Sequence, residues 1–96
     1  MATPRKVALS LDAATVIRGA HPDQRRKIRA MVDALRERPE IGKPLRRELE
    51  GYWSARVGRY RVIYRWSGGL LAVVLVGPRA NIHEDASRLR RRERGS

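Results

Sequence analysis

The chain has 96 residues, a length that suits one domain with a single modest core and leaves no room for a second. Lysines and arginines number 22 against 10 aspartates and glutamates, a net charge of +12, and such an excess attracts polyanions, with nucleic acid the first expectation and an anionic membrane surface the rival. The absence of cysteine excludes disulfides and thiolate chemistry, and 2 histidines are too few for a zinc site, so we expect no metal and no cofactor, with carboxylate-bound magnesium left open.

We expect no signal peptide at the N-terminus. The apolar run that follows Arg5-Lys6 is interrupted by Ser10 and Asp12, which is too early for a signal peptide. No stretch of the sequence approaches the ~20 apolar residues that a membrane-spanning helix needs. We therefore expect a cytoplasmic protein that does not enter a membrane.

The N-terminal half predicts one strand followed by two helices. Alternating side chains from Lys6 to Leu11 indicate a half-buried strand. Asp12 is expected to cap a short helix that Gly19 closes in the left-handed conformation. A second helix is expected to begin at Pro22, with His21 as its N-cap. The apolar positions of this helix, spaced along one face, are Ile28, Met31, Val32 and Leu35.

The segment from Trp53 to Arg79 predicts three antiparallel strands joined by tight turns at Gly58-Arg59 and Gly68-Gly69. A two-residue loop at the first turn sets Arg56 directly opposite Arg61, on the face that the apolar residues leave open. Like charges opposed in a ladder are destabilising by about a few tenths of a kcal/mol. The pair therefore indicates an anionic ligand, unless it is only a solvated sheet face whose arginine stems cover apolar surface.

The last strand, Leu70 to Val76, lacks polar alternation and is expected to be covered on both faces. The segment from Ile82 to Arg94, basic and apolar at helical spacing, is expected to cover the second face. The prediction is one domain, residues 1–96, with an α+β fold. It has a small antiparallel sheet in the order β-α-α-β-β-β, two N-terminal helices on one face, and a basic C-terminal helix or tail over about residues 82–96. The predicted core consists of Val7, Leu9, Leu11, Val16, Ile28, Met31, Val32, Leu35, Trp53, Val62, Tyr64, Val73 and Leu75.

Several short motifs, set in this order of elements, carry a family resemblance. They are Gly42-Lys43-Pro44-Leu45, Glu48-Leu49-Glu50-Gly51, Arg56-Val57-Gly58, Tyr60-Arg61-Val62-Ile63-Tyr64 and Val76-Gly77-Pro78-Arg79. With them the chain resembles the RelE/ParE toxin superfamily over most of its length. The resemblance implies a small bacterial toxin of a toxin–antitoxin pair, and the RelE-like branch inhibits translation by cleaving messenger RNA on the ribosome without metal or cofactor.

The resemblance also implies a reaction and the residues for it. In RelE-like mRNA interferases the 2′-hydroxyl attacks the adjacent phosphorus, which leaves a 2′,3′-cyclic phosphate and a 5′-hydroxyl. By their positions in the motifs, Arg61 and Arg79 match the arginines that meet the phosphate charge, and Arg56 is expected to assist. Where many relatives carry a tyrosine this chain has His83, whose imidazole suits proton transfer near neutral pH, and Glu84 is an alternative proton acceptor. The predicted catalytic residues are Arg61, Arg79, His83 and Arg56.

Position 54 departs from the RelE pattern. Ser54 stands where RelE carries a basic residue, so the resemblance does not assign the general base.

Contacts to nucleic acid are expected from arginines around the open sheet face. These predicted nucleic-acid-binding residues are Arg56, Arg59, Arg65 and Arg47.

Three functions are compatible with these patterns. The first is a ribosome-dependent, metal-independent mRNA endoribonuclease, with the ribosome and mRNA as partners. The alternative is a ParE-like non-enzymatic toxin that binds and poisons DNA gyrase, and a degenerate member that only binds DNA or an antitoxin is a third. In each toxin case a cognate antitoxin is expected, with acidic and apolar residues that wrap the basic surface.

Overall fold

The computed structural model describes residues 6–78 and 86–88 of the chain. Two helices pack on one face of a five-stranded sheet. The strands are β1 (Lys6–Leu9), β2 (Lys43–Pro44), β3 (Trp53–Val57), β4 (Tyr60–Ser67) and β5 (Leu70–Pro78), the helices are α1 (Leu11–Gly19) and α2 (Pro22–Glu37), and short 3₁₀ turns occupy Pro39–Ile41 and Arg47–Leu49. The strands are arranged in the sheet in the order β1-β5-β4-β3-β2. The predicted α+β fold, with a strand and two helices before a three-stranded meander, is confirmed.

The sheet is mixed, whereas a wholly antiparallel sheet was predicted. β1 runs parallel to β5, with Lys6 opposite Leu70 and Leu9 opposite Val73, and the other pairs are antiparallel. The alternation of side chains within β1 indicates which residues face the core. It does not indicate whether β1 runs parallel or antiparallel to β5, which lies about 60 residues later in the chain. β2 was predicted as irregular connection because of Pro44. Proline is tolerated there because β2 is an edge strand, where a missing N–H costs no ladder bond.

Ser10, and not Asp12, caps α1. The Ser10 hydroxyl accepts a hydrogen bond from the Ala13 N–H (3.0 Å) and donates one to the Val74 carbonyl (2.7 Å). It therefore satisfies the helix end and ties it to β5 at the same time, which a side chain inside the first turn cannot do. Gly19 does not adopt the predicted left-handed conformation, since α1 ends in extended backbone at Ala20.

The N-terminus of α2 agrees with the sequence prediction. His21 is the N-cap, and its Nδ1 accepts a hydrogen bond from the Asp23 N–H at 3.3 Å. Pro22 follows in the first turn, where its missing N–H has no partner to lose.

The main core lies between the two helices and the sheet. Val7, Val16, Met31 and Trp53 pack at its edge, as predicted. Leu9 and Leu11 were predicted as core and are 44% and 78% exposed, because β1 stops at Leu9 and the chain turns into α1. The buried residues of this core are Ala13, Ile17, Ile28, Val32, Leu35, Ala55, Val57, Val62, Tyr64, Leu71, Val73 and Val76.

A bulge in β5 divides its side chains between the two faces of the sheet. Ile63 pairs with Leu75 and Tyr64 pairs with Val73, so that Val74 is an extra residue. Leu75 therefore lies on the face away from the helices, and its predicted place in the helix-covered core is wrong. This second face has its own cluster, formed by Leu49, Tyr52, Ile63, Val74, Leu75 and Ala86.

The predicted cover of the second face falls partly on described residues. Ala86 is buried in the second cluster, and residues 86–88 are helical. The remainder of the predicted C-terminal helix or tail lies outside the described residues.

The Tyr64 hydroxyl connects β4 to the chain that leads into β2. Its side chain is fully buried. The hydroxyl donates to the Pro39 carbonyl at 2.5 Å and accepts from the Gly42 N–H at 3.1 Å. Burial, opposed by the Gly42 N–H and reinforced by the charge of Glu40, raises the pKa of Tyr64 from 10.0 to about 12.

This contact predicts a loss of stability at alkaline pH. Because the folded pKa lies above the unfolded value, the contribution of Tyr64 is complete below pH 10 and is lost as the pH rises through about 12. We expect about 1 kcal/mol of this loss by pH 11. Urea unfolding at pH 8 and pH 11 should show a smaller alkaline loss in Tyr64→Phe than in the parent, and equal losses would contradict the shift.

Candidate functional site

Arg56 and Arg61 face each other across the β3–β4 hairpin, on the side of the sheet away from the helices. The predicted register is confirmed, with Val57 opposite Tyr60 and Arg56 opposite Arg61. Gly58 makes the connecting turn possible, since its φ of +57° is a conformation that side-chain-bearing residues rarely adopt. Ala55 and Val57, on either side of Arg56 in β3, point into the helix-covered core. The two side chains thus leave the sheet side by side on the same face.

Arg61 is the more enclosed of the two arginines. Its Nη1 donates a hydrogen bond to the Ser54 Oγ at 3.2 Å. Its Nε is buried and has no hydrogen-bond partner among the described residues. A buried donor left unpaired costs about 1–3 kcal/mol, and an anion beside the guanidinium would offset that cost through its charge. Arg56 is exposed, and neither arginine forms a salt bridge with a carboxylate of the described residues.

A cleft of about 280 Å³ opens beside these arginines. It forms because β2 pairs only with Trp53 and Ser54, so that the edge of β3 beyond Ser54 has no neighbouring strand in the described part of the chain. The described lining contains cations and no carboxylate, which suits an anionic ligand. The lining residues are Met31, Ile41, Gly42, Lys43, Ser54, Ala55, Arg56 and Arg61.

A larger cleft of about 500 Å³ lies on the helix side, between β1 and the two helices. Its lining combines apolar residues with Arg18, Arg25, Arg29 and Arg36, and Asp33 adds a carboxylate. None of the predicted catalytic residues that the structure describes lies there. The β3–β4 cleft is therefore the candidate site on the basis of its chemistry, although it is the smaller of the two.

The other predicted nucleic-acid-binding arginines lie outside the cleft. Arg59 is exposed in the hairpin turn. Arg65 shares the open face with Arg61 but lies four residues further along β4, about 13 Å away, where its guanidinium carbon is 5.2 Å from the centre of the Tyr52 ring. Arg47 is exposed in a 3₁₀ turn with a φ of 60°. The structure brings Arg56 and Arg61 together and leaves these three at the surface around them.

Three predicted site residues, Arg79, His83 and Glu84, lie outside the described residues. The strand that precedes them, β5, ends at Pro78, which pairs with Tyr60 next to Arg61. Their assigned roles stay predictions.

Sequence analysis missed Lys43 as a residue of the cleft. Lys43 was assigned to an irregular connection, but it forms β2 with Pro44 and pairs with Ser54. The sequence offered no signal for this strand, because two paired residues, one of them a proline, are too few to show alternation.

The described residues contain no cluster of three or more histidine, cysteine, aspartate or glutamate side chains that could hold a metal ion. Within the same part of the chain, none of the helices is both long enough and apolar enough to cross a membrane.

Comparison with known proteins gives consistent results. The family described as the ParE toxin of the type II toxin–antitoxin system, parDE, matches residues 11–83. The toxin RelG of Mycobacterium tuberculosis is 48% identical over 56 residues, which cover 56% of this chain and 64% of that protein, so this chain spans less than two thirds of that relative.

Solved structures share the fold. The toxin–antitoxin complex RelBE2 of Mycobacterium tuberculosis contains a chain that is 33% identical, with a TM-score of 0.66, and the match covers 83% of this chain and 97% of that one. YafQ of Escherichia coli is 21% identical with a TM-score of 0.65, and the match covers 81% of this chain and 97% of YafQ. At that identity YafQ supports the fold alone. The family match over residues 11–83, together with the motifs and the fold, shows that this chain belongs to the ParE toxin family of type II toxin–antitoxin systems, within the RelE/ParE superfamily.

Proposed function

We propose that this toxin is a ribosome-dependent mRNA endoribonuclease whose β3–β4 cleft binds the scissile phosphate. The proposal rests on the environment of Arg61. Its guanidinium is half-buried beside Arg56, it makes no salt bridge with a described residue, and its buried Nε lacks a partner there. Such a group is arranged in advance for an anion and has no structural ion pair to account for it.

The proposed reaction begins when the 2′-hydroxyl of one nucleotide attacks the adjacent phosphorus. A new P–O2′ bond forms and the P–O5′ bond breaks, which gives a 2′,3′-cyclic phosphate and a 5′-hydroxyl. The transition state carries more negative charge on the phosphoryl oxygens than the substrate does. Arg61 and Arg56 stabilise that added charge, and a fixed donor of this kind acts without reorganisation during the reaction.

Proton transfer requires other groups. One must accept the 2′ proton and one must protonate the departing 5′ oxygen. We assign His83 to proton transfer, with Glu84 as the alternative acceptor, and Arg79 to the phosphate charge, all on the motif resemblance. Outside the cleft, exposed arginines bind the phosphates of the message or of ribosomal RNA. These residues are Arg47, Arg59 and Arg65.

The net charge of +12 supports the ribosome as the place of action. A small domain with this excess is drawn to ribosomal RNA from a distance, and the attraction weakens as salt screens it. The proposed partners are therefore ribosomal RNA, which sets location, and mRNA, which is the substrate.

A cognate antitoxin is the proposed protein partner, since chains of this fold are found in RelBE2 and RelE–RelB complexes. Charge complementarity predicts an acidic segment with interspersed apolar residues that orders on binding. When the toxin is expressed with its neighbouring gene, the co-purified chain should be acidic, and its association rate should fall steeply with added salt. A strongly basic partner would contradict this prediction.

Gyrase poisoning is the second candidate, because the matching family is that of ParE toxins and ParE-like members act on gyrase. Brief expression in cells separates the two functions. Primer extension on abundant transcripts should reveal new 5′ ends within coding sequences, without induction of a DNA-damage reporter. Reporter induction with intact transcripts would reject the ribonuclease proposal in favour of gyrase.

A further inference from the structure

We infer that Lys43 is a third cation of the cleft and binds the same RNA phosphate as Arg61, an inference that rests on the proposed ribonuclease function. Lys43 comes from edge strand β2, on the far side of β3 from Arg61. The cleft would then hold the phosphate among cations of three different strands, β2, β3 and β4.

Strand register places Lys43 directly opposite Ser54, the residue that accepts a hydrogen bond from Arg61. Lys43 and Ser54 are directly opposed partners in the β2–β3 pair. Opposed residues point to the same face with Cβ atoms about 4.5–5.5 Å apart. The Ser54 Oγ is itself the acceptor for Arg61 Nη1. The lysine, the serine and the arginine thus form a row across three strands, with Arg56 two residues beyond Ser54 on the same face.

The backbone at Lys43 is held in place by its neighbour Gly42. The Gly42 N–H donates to the Tyr64 hydroxyl, which is tied in turn to Pro39. A Cβ at Gly42 would lie 2.3 Å from the Tyr64 hydroxyl and 2.6 Å from the Ser54 carbonyl oxygen. The close approach of these strands at Gly42 fixes where the Lys43 side chain begins.

Lys43 has no structural role that would explain its position in the cleft. It is exposed and forms no salt bridge or hydrogen bond through its side chain with a described residue. Three cations around one small opening repel each other, and a phosphate oxygen would relieve that repulsion for all of them. The gain is greater in the transition state, where the phosphoryl group carries more charge.

Lysine substitutions on the two edge strands test this inference. Lys43→Ala should lower single-turnover cleavage of mRNA on programmed ribosomes by about 10- to 100-fold, the range for losing one charged hydrogen-bond donor. Lys43→Arg should retain most of the rate, because it keeps the positive charge that attracts the phosphate. Lys6→Ala is the matched control, because Lys6 is exposed on β1, the opposite edge of the sheet.

Ribosome binding, measured on the same variants, separates a general charge effect from an effect at the cleft. The affinities of Lys43→Ala and Lys6→Ala for ribosomes should fall equally, while only Lys43→Ala loses cleavage rate. If the parent cleaves and the two alanine variants cleave equally well, Lys43 is not part of the site and the ribonuclease proposal stands. If the parent itself leaves mRNA intact on ribosomes, the proposed function is wrong and the inference falls with it.

Discussion

Arg61→Ala should lower the rate of mRNA cleavage by about 10²–10³-fold, the effect of removing one preorganised donor to developing negative charge. Arg61 is half-buried at the cleft, and its Nε has no partner among the described residues. No described carboxylate pairs with its guanidinium, so the full positive charge can act on an oxyanion in the cleft. The measurement is single-turnover cleavage on programmed ribosomes.

The same variant should remain folded. Arg61 lies opposite Arg56, so its removal relieves a like-charge contact and removes one hydrogen bond to Ser54. These effects oppose each other, and the thermal midpoint should stay within about 4 °C of the parent, equivalent to less than ~1 kcal/mol. Arg29→Ala, which removes an exposed arginine on the helix side of the sheet, is the matched control and should cleave at nearly the parental rate. Equal rates for the two variants would exclude Arg61 from the reaction.

Gly42→Ala should destabilise the fold strongly, although it adds only one methyl group. The added methyl would lie 2.3 Å from the Tyr64 hydroxyl and 2.6 Å from the Ser54 carbonyl oxygen. Neither atom can yield easily, because Tyr64 is fully buried and the Ser54 carbonyl belongs to the β3 backbone. We expect a loss of about 1–3 kcal/mol, the range for overpacking, or about 4–8 °C in thermal midpoint for each kcal/mol.

Gly19→Ala is the control for that substitution. Gly19 is the last residue of α1, it lacks a positive φ, and a Cβ there would meet nothing within 4 Å. Alanine at this position should be neutral or stabilising by up to about 1 kcal/mol, since glycine is the poorer helix former. If both variants were equally stable, the close approach at Gly42 would not be a real constraint on the cleft.

Gly42→Ala also tests the link between stability and the site. The clash should displace the start of β2 and with it Lys43, so that cleavage falls even at temperatures where the variant is folded. Cleavage at the parental rate by folded Gly42→Ala would separate the Tyr64 contact from the function of the cleft.

The pairing of Arg56 with Arg61 was predictable because a two-residue turn fixes strand register and alternation then fixes the face. The bulge at Val74 was not predictable, since Leu70 to Val76 is apolar throughout and a shift of face leaves no trace in such a run. That shift moved Leu75 to the second face. Local sequence patterns predict where a strand lies. The position of a bulge within a strand that is apolar throughout depends instead on how its side chains pack against the neighbouring elements.

Lys43 shows a second limit of sequence analysis. β2 has two residues, one of them a proline, so neither alternation nor β-propensity marks it. The strand exists because Tyr64 and Ser54, which lie later in the chain, hold it in place through Gly42. The burial of the Arg61 Nε is likewise a product of tertiary packing, and the sequence could place the arginine on the open face without showing how enclosed it is.

The proposed activity of this toxin is cleavage of mRNA on the ribosome by attack of the 2′-hydroxyl. The most direct test incubates the purified toxin with ribosomes programmed by a defined mRNA, with free mRNA beside it, and analyses the ends of the products. We expect cleavage of the ribosome-bound message, with a 2′,3′-cyclic phosphate on the upstream fragment and a 5′-hydroxyl on the downstream one. An intact message on ribosomes, with loss of DNA supercoiling by gyrase at the same toxin concentration, would contradict it.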